Sequence, residues 1–155
     1  MIEIERKFLI DNTNITKLAT NQYLIKQGYL SSVAERTVRI RTKDDKGYIT
    51  VKGKSNESGT SRMEWEKEIP FEEALKLLSI CEDYIIDKTR YLIPHGKHCF
   101  EIDVFHGANE GLLIAEIELS AEDEVFEKPI WLGEEVTGDN RYYNSFIAKK
   151  PFKNW

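Results

Sequence analysis

The 155 residues carry a formal net charge of −5 and 41% of them are hydrophobic, which predicts one domain with its own core over residues 1–155. The negative charge argues against a nucleic-acid partner whose phosphates the protein would have to neutralise. No apolar stretch reaches the roughly 20 residues that cross a bilayer, and no signal peptide precedes the first predicted strand, so we expect a soluble, cytoplasmic protein without a membrane partner.

Alternation of apolar and polar residues predicts eight strands along the chain. The polar residues 11–21 favour a loop with one helical turn, and residues 55–61 favour a loop. Two pairs of strands are separated by the turn-forming segments 43–47 and 94–96, and each pair is predicted to be a hairpin. The eight strands are residues 2–10, 23–30, 36–42, 48–54, 62–69, 84–93, 97–105 and 112–119.

A helix is predicted between the fifth and sixth strands, over residues 71–80. Pro70 and two glutamates favour a helix start there, and Ala74 shares helical spacing with the leucines that follow it. We interpret this segment as a structural helix that covers the sheet. After the last strand, residues 120–123 have the form of a capping box with Asp in its last place.

The tail, residues 133–150, predicts a loop followed by a second helix. Thr137 or Asp139 has the side-chain oxygen that a helix cap requires. Three apolar or aromatic residues of this helix are expected to face a core, namely Tyr143, Phe146 and Ile147.

Eight strands that are mostly adjacent in sequence predict an α+β fold, an eight-stranded antiparallel closed β-barrel, or tunnel, with flanking helices. Closure of the barrel gives the alternating strand faces an inside and an outside. If the charged faces point inward, the apolar faces point outward and need covering. We expect the helices that contain Ala74 and Phe146 to provide that cover.

Like charges recur two residues apart on the predicted strands. In the first strand Glu3, Glu5 and Lys7 share one face, because successive side chains of a strand alternate between faces. Neighbours at this spacing lie roughly 6.6–7 Å apart, and at an effective dielectric near 20 two like charges repel by roughly 2 kcal/mol. The later strands carry Arg39 and Arg41, Lys52, Glu64, Glu66 and Glu68, Lys88 and Arg90, Glu101 and Asp103, and Glu116 and Glu118.

Such charged faces usually lie in water, where salt screens the repulsion. Inside a closed site they would need counter-charge. Paired carboxylates suit hard divalent cations, and Lys and Arg suit phosphate oxygens. One surface that carries both kinds of group therefore indicates a complex of metal and phosphate.

The ordered set of charged motifs resembles the CYTH superfamily, the triphosphate tunnel metalloenzymes. The opening Glu3-Ile4-Glu5-Arg6-Lys7 matches the family's E-x-E-x-K signature, and the resemblance is greatest to short bacterial members, many of which hydrolyse inorganic triphosphate. Asp87 stands where relatives often have Glu, and Lys26 where they often have Arg. The other matching stretches are residues 26–30, 38–41, 50–52, 64–66, 87–91, 101–105, 115–118, 133–137 and 141–142.

The resemblance implies an eight-stranded barrel whose tunnel binds a triphosphate together with Mg²⁺ or Mn²⁺. Glu3, Glu5, Glu116 and Glu118 are then expected to hold one metal, and Asp103, Glu64 and Glu66 to help hold a second metal or a water. The anion clamp implied by the family consists of Lys7, Arg39, Arg41, Lys52, Lys88, Arg90 and Arg141.

The expected chemistry is in-line attack of water on the terminal phosphoryl group, with release of pyrophosphate and phosphate. Glu5 contributes through the metal, Tyr29 is a candidate to assist, and Lys88 is either the group that orients or deprotonates the water or a plain phosphate ligand. For Glu64, Glu68 and Glu101 a purely structural ion-pairing role is an equally valid interpretation.

Other functions fit the same residues. A thiamine triphosphatase and a class IV adenylyl cyclase also handle a triphosphate with metals, although the cyclases usually carry a His-Phe pair before the E-x-E-x-K motif, for which this chain has no room. A non-catalytic polyphosphate-binding module would keep the cations without needing the carboxylates. We expect a small polyphosphate as the partner molecule, and a homodimer stays open.

Overall fold

The computed structural model describes residues 2–155, which form eight β-strands and two α-helices together with four short 3₁₀ turns. Each predicted strand is confirmed as a strand, and no strand end shifts by more than two residues. The strands are β1 (Ile2–Leu9), β2 (Asn21–Ser31), β3 (Arg36–Lys43), β4 (Lys46–Gly53), β5 (Ser61–Ile69), β6 (Glu82–His95), β7 (His98–Phe105) and β8 (Leu113–Glu118); the helices are α1 (Phe71–Leu78) and α2 (Asn144–Ile147).

The strands close into the predicted barrel in the order β1-β5-β4-β3-β2-β6-β7-β8. Every neighbouring pair is antiparallel. Strand β1 completes the closure by pairing with two partners: residues 2–4 pair with β5, and residues 5–9 pair with β8. Within residues 2–155, neither helix has the length and apolar composition needed to span a bilayer.

Helix α1 covers the outer face of β3 and β4, as predicted. Ala74 is fully buried there, and a Cβ at Gly47 on β4 would lie 2.6 Å from the Ala74 Cβ. Because real side chains do not approach that closely, Gly47 is what allows the helix to pack directly on the strand.

The outer face of β1, β7 and β8 is covered by an irregular segment instead of a helix. Phe8, Phe100 and Ile117 form its core, and Phe126 and Trp131 pack against them. The segment follows residues 120–123, which have the form of a capping box, but no helix begins there and residues 119–139 contain none. The Glu124 carboxylate accepts a hydrogen bond from the Ser120 amide, which makes a local turn.

Helix α2 fills one end of the barrel and does not cover an outer face, which corrects the prediction made for Phe146. Ile147 is fully buried against Ile86, Phe105 and Ile114, whose side chains point into the barrel at this end. Tyr143 also differs from expectation, because its ring lines the charged interior. Asp139 caps the 3₁₀ turn Asn140–Tyr142, whereas α2 begins after Tyr143 without a side-chain cap, so the predicted cap of the tail helix is wrong.

Candidate active site

A cavity of about 230 Å³ occupies the barrel interior beyond α2. Burial falls along β8 from Ile114, which is 0% exposed, through Glu116 at 7% to the exposed Glu118, so the floor of the cavity lies at the α2 end. Eight cationic side chains and seven carboxylates line the cavity. They are Lys7, Arg39, Arg41, Lys43, Lys52, Arg62, Lys88 and Arg90, with Glu3, Glu5, Glu64, Glu66, Glu101, Glu116 and Glu118.

The register of the strands explains why these charges meet. Lys7 lies opposite Glu116 on the β1–β8 pair, and Lys52 lies opposite Glu64 on the β4–β5 pair. Directly opposed residues of a sheet point to the same face, so one inward-facing residue on each strand places its neighbours inward as well. The alternation read from the sequence therefore becomes a single enclosed surface of both signs.

The cations of β3 lie close together on the wall. Arg39 donates to Thr50 Oγ1 at 3.1 Å and to Glu66 at 3.4 Å, while its buried Nε has no hydrogen-bond partner within residues 2–155. Burial, followed by the charges of Arg39 and Arg90, lowers the pKa of Arg41 to about 9. A buried donor without an acceptor and a crowded guanidinium both indicate that an anion completes this wall.

The carboxylates of the cavity are crowded by one another in the same way. Burial, then the charge of Glu5, raises the pKa of Glu116, and burial, then the charge of Glu3, raises the pKa of Glu118. Among residues 2–155, no three carboxylate, imidazole or thiol side chains are already arranged around a common metal position. The donor set, made only of repelling carboxylates, nevertheless fits a hard divalent cation, which would relieve that repulsion.

The cavity floor holds a buried triad of charges. Asp103 accepts hydrogen bonds from Lys88 at 2.8 Å and from Arg90 at 2.8 and 2.9 Å, so both of its oxygens are engaged. Arg90 and Lys88 lower the pKa of Asp103 far below its usual value against the opposing effect of burial. Burial lowers the pKa of Lys88 to about 7, despite the attraction of Asp103.

Two tyrosines complete the interior. Burial raises the pKa of Tyr29, so its phenol is a neutral donor at neutral pH. The Tyr143 ring lies between two cations, with Lys7 Nζ 4.8 Å and the Arg62 guanidinium carbon 5.7 Å from the ring centroid. Both contacts are within the range of cation–π attraction and hold these cations at the wall.

The structure brings together every site residue predicted from the sequence except two. Asp103 lies behind the lining, fully buried and bonded to Lys88 and Arg90, where it orients these two cations. Arg141 lies outside the cavity, with a side chain 58% exposed and paired with Asp139 at 2.8 Å. The position of Arg141 in the tail, next to Tyr142, did not indicate whether its side chain points into the cavity or into solvent.

Sequence reasoning missed several lining residues. Lys43 and Arg62 carry a usable signal, because Lys43 follows Arg41 by two residues and Arg62 precedes Glu64 by two. Thr37 carries the same signal, since it precedes Arg39 by two residues, whereas the tail residues Tyr143, Asn144 and Ser145 have no such periodic signal. Glu101, interpreted as either structural or metal-binding, lines the cavity and pairs with Arg90 at 3.2 Å.

Comparison with known proteins finds similarity over nearly the whole chain. A family model described as CYTH domain matches residues 1–145. The chain is 48% identical over 154 residues to an inorganic triphosphatase of Acetivibrio thermocellus, which covers 99% of this chain and 97% of that protein. It is 37% identical over 153 residues to an inorganic triphosphatase of Nitrosomonas europaea, covering 96% of this chain and 97% of that protein.

A solved structure agrees with these sequence matches. The crystal structure of the inorganic triphosphatase NE1496 superposes with a TM-score of 0.67 at 33% identity, covering 94% of this chain and 93% of that chain. The two proteins therefore share the same barrel fold.

Proposed function

Because this chain belongs to the CYTH domain family, we propose that it is an inorganic triphosphatase that hydrolyses tripolyphosphate to pyrophosphate and phosphate with the help of a divalent metal. One observation carries the proposal: eight cations and seven carboxylates face a single cavity inside the barrel. In this proposal the whole chain, residues 1–155, forms one triphosphate tunnel domain. The small polyphosphate is the only partner molecule required.

Four carboxylates, Glu3, Glu5, Glu116 and Glu118, would hold the metal, Mg²⁺ or Mn²⁺, since they line the cavity and supply only oxygen donors. The bound ion would neutralise charge on the phosphate oxygens that it contacts. Glu64 and Glu66 are the remaining candidates for a second ion or for a water. Asp103 is left out of this set, because it is fully buried behind the cavity lining and bonded to Lys88 and Arg90.

The cations form the anion clamp. Six cationic side chains surround the same cavity, and each can donate to phosphate oxygens from its position on its own strand. They are Lys7, Arg39, Arg41, Lys52, Lys88 and Arg90. Fixed donors of this kind stabilise the charge that develops as the terminal phosphoryl group is transferred. Lys43 and Arg62, which the alternation had not identified, join them.

Water attacks the terminal phosphorus in line with the bridging oxygen, and pyrophosphate leaves. Lys88 is the group proposed to orient or deprotonate that water, since a pKa lowered to about 7 by burial leaves much of the amine neutral at neutral pH. Tyr29 assists as a neutral hydroxyl donor to a phosphate oxygen. No Ser or Cys nucleophile is needed for this reaction.

Phosphate release from tripolyphosphate, ATP and thiamine triphosphate, with and without Mg²⁺ or Mn²⁺, tests the proposal. We expect metal-dependent hydrolysis of tripolyphosphate that is lost in Glu5→Gln and kept in Glu57→Gln, a matched change on an exposed loop. If thiamine triphosphate or ATP is hydrolysed as fast as tripolyphosphate or faster, that compound replaces tripolyphosphate as the preferred substrate. Cyclic nucleotide formation would identify a cyclase, and binding without turnover a non-catalytic module.

A further inference from the structure

A chain of hydrogen bonds crosses the cavity floor and passes through an amide on α2. Arg41 Nε donates to Gln27 Oε1 at 3.1 Å, and Gln27 Nε2 donates to Asn144 Oδ1 at 2.8 Å. The same Asn144 oxygen accepts from Lys88 Nζ, also at 2.8 Å. Gln27 and Lys88 are almost completely buried, so these partners are enclosed. One amide oxygen therefore connects two inward-facing cations that belong to different strands.

The bonds of Lys88 leave one direction free. A lysine nitrogen has three positions besides its Cε, and here one is directed at Asp103 Oδ2 and one at Asn144 Oδ1. In the ammonium form the third position is an N–H, and in the neutral amine it is the lone pair. Its direction is the same in both forms, because the two acceptors determine it. Lys88 also lines the cavity, where the reacting phosphoryl group and water meet in the proposed function.

We propose that Asn144 is a positioning residue for the triphosphatase reaction, which holds Lys88 in the direction that its catalytic role requires. This inference rests on the proposed function. Asp103 alone would leave Nζ free to rotate about one hydrogen bond, whereas two acceptors on different elements define its orientation. Through Gln27, the same oxygen also restrains Arg41.

The attachment of α2 makes this arrangement rigid. Ile147 is fully buried in the apolar floor, and the Tyr84 amide donates to Ala148 O at 2.9 Å, so the helix is held by contacts that do not involve Asn144. Replacing the amide should therefore remove the acceptor without releasing the helix. The effect is expected on the chemical step more than on substrate binding, since the other cations of the clamp stay in place.

The experiment compares Asn144→Ala, Asn144→Asp and Ile147→Val in metal-dependent phosphate release from tripolyphosphate. Asn144→Ala should lower kcat by about tenfold or more with KM changed by less than about twofold, the size expected for one lost hydrogen bond to a charged group. Asn144→Asp keeps an oxygen at the same place but adds a negative charge that raises the pKa of Lys88, so it should recover kcat with a pH–rate profile moved to higher pH. Ile147→Val removes one buried methyl group, so it should lower Tm and leave kcat unchanged.

Binding is measured separately, as the rise in Tm that tripolyphosphate causes in the presence of EDTA, and Asn144→Ala should keep the wild-type rise. A kcat of Asn144→Ala within about twofold of wild type refutes the role of Asn144, as does a failure of Asn144→Asp to exceed the alanine variant at every pH between about 7 and 10. An equal kcat loss in Ile147→Val would show that the effect comes from docking of α2 and also refutes it. If wild-type protein itself releases no phosphate, the proposed function fails instead.

Discussion

Lys52 Nζ on β4 donates a hydrogen bond to Glu3 Oε1 on β1 at 2.8 Å, across the inward face of the strand that separates them. Both side chains are close to nine-tenths buried. One of the proposed phosphate-binding residues is thus bonded to one of the proposed metal-binding residues. When metal and phosphate bind, the ion pair between Lys52 and Glu3 has to be exchanged for two contacts, one from Lys52 to phosphate and one from Glu3 to the metal.

The first prediction is that metal and phosphate bind cooperatively. Metal alone must compete with Lys52 for Glu3, and phosphate alone must compete with Glu3 for Lys52, whereas binding both satisfies both groups. With a non-hydrolysable methylene-bridged tripolyphosphate analogue, the rise in Tm should exceed the sum of the rises given by Mg²⁺ and by the analogue separately. Strictly additive rises would contradict the exchange of partners. Lys52→Met should weaken the cooperativity.

The second prediction concerns Glu116 and pH. Its pKa is raised in the fold by burial, then by Glu5, so the stability linked to its protonated form is present at low pH and is lost as pH rises through the folded pKa. In EDTA, Glu116→Gln should therefore have a higher Tm than wild type at pH 8, and the difference should shrink as the pH falls towards 4. A constant difference across this range would argue against a protonation effect.

The third prediction tests the Tyr29 hydroxyl. Tyr29→Phe keeps the ring that packs in the apolar floor and removes only the donor. We expect kcat to fall by about tenfold, the value for one hydrogen bond, with little change in Tm. A normal kcat would exclude the hydroxyl from the reaction. Comparison with Tyr142→Phe, a buried tyrosine of the same cluster outside the cavity lining, shows whether any tyrosine change has this effect.

The fourth prediction separates two arginines that the family resemblance places together. Arg39 lines the cavity and has an unpaired buried Nε, so Arg39→Ala should lower kcat/KM by about 100-fold or more. Arg141 is exposed and paired with Asp139, so Arg141→Ala should stay within about twofold of wild type. Steady-state kinetics on tripolyphosphate measure both. A large loss in Arg141→Ala would show that the tail closes over bound substrate.

The alternation of charged and apolar residues along the sequence predicts most of the side chains that line the cavity. Glu3, Glu5 and Lys7 share a face in any extended strand, because the pleat of the backbone is local and needs no tertiary information. Lys43 and Arg62 belong to the same pattern and lie near strand ends: Lys43 falls in a predicted turn, and Arg62 is the first residue of a predicted strand. Strand ends are the least certain part of any such reading.

The tail shows the opposite case. Arg141, Tyr143 and Asn144 are neighbours in sequence, yet the first points to solvent and the other two line the cavity. A helix of four residues gives no periodic pattern, and its direction follows from how Ile147 packs into the end of the barrel. That packing depends on Ile86, Phe105 and Ile114, which come from the consecutive strands β6, β7 and β8, all distant in sequence from α2.

The amino-acid sequence by itself determined the strands, the side on which each charge lies and the kind of ligand that both signs of charge suit, since these depend on alternation and on side-chain chemistry. Only the tertiary structure decided which charges meet, because closure of the barrel sets the strand register, which brings Lys52 within reach of Glu3 and Lys88 within reach of Asp103. It also decided that one end of the tunnel is filled, because α2 packs there against apolar residues of β6, β7 and β8, which are distant from it in the chain.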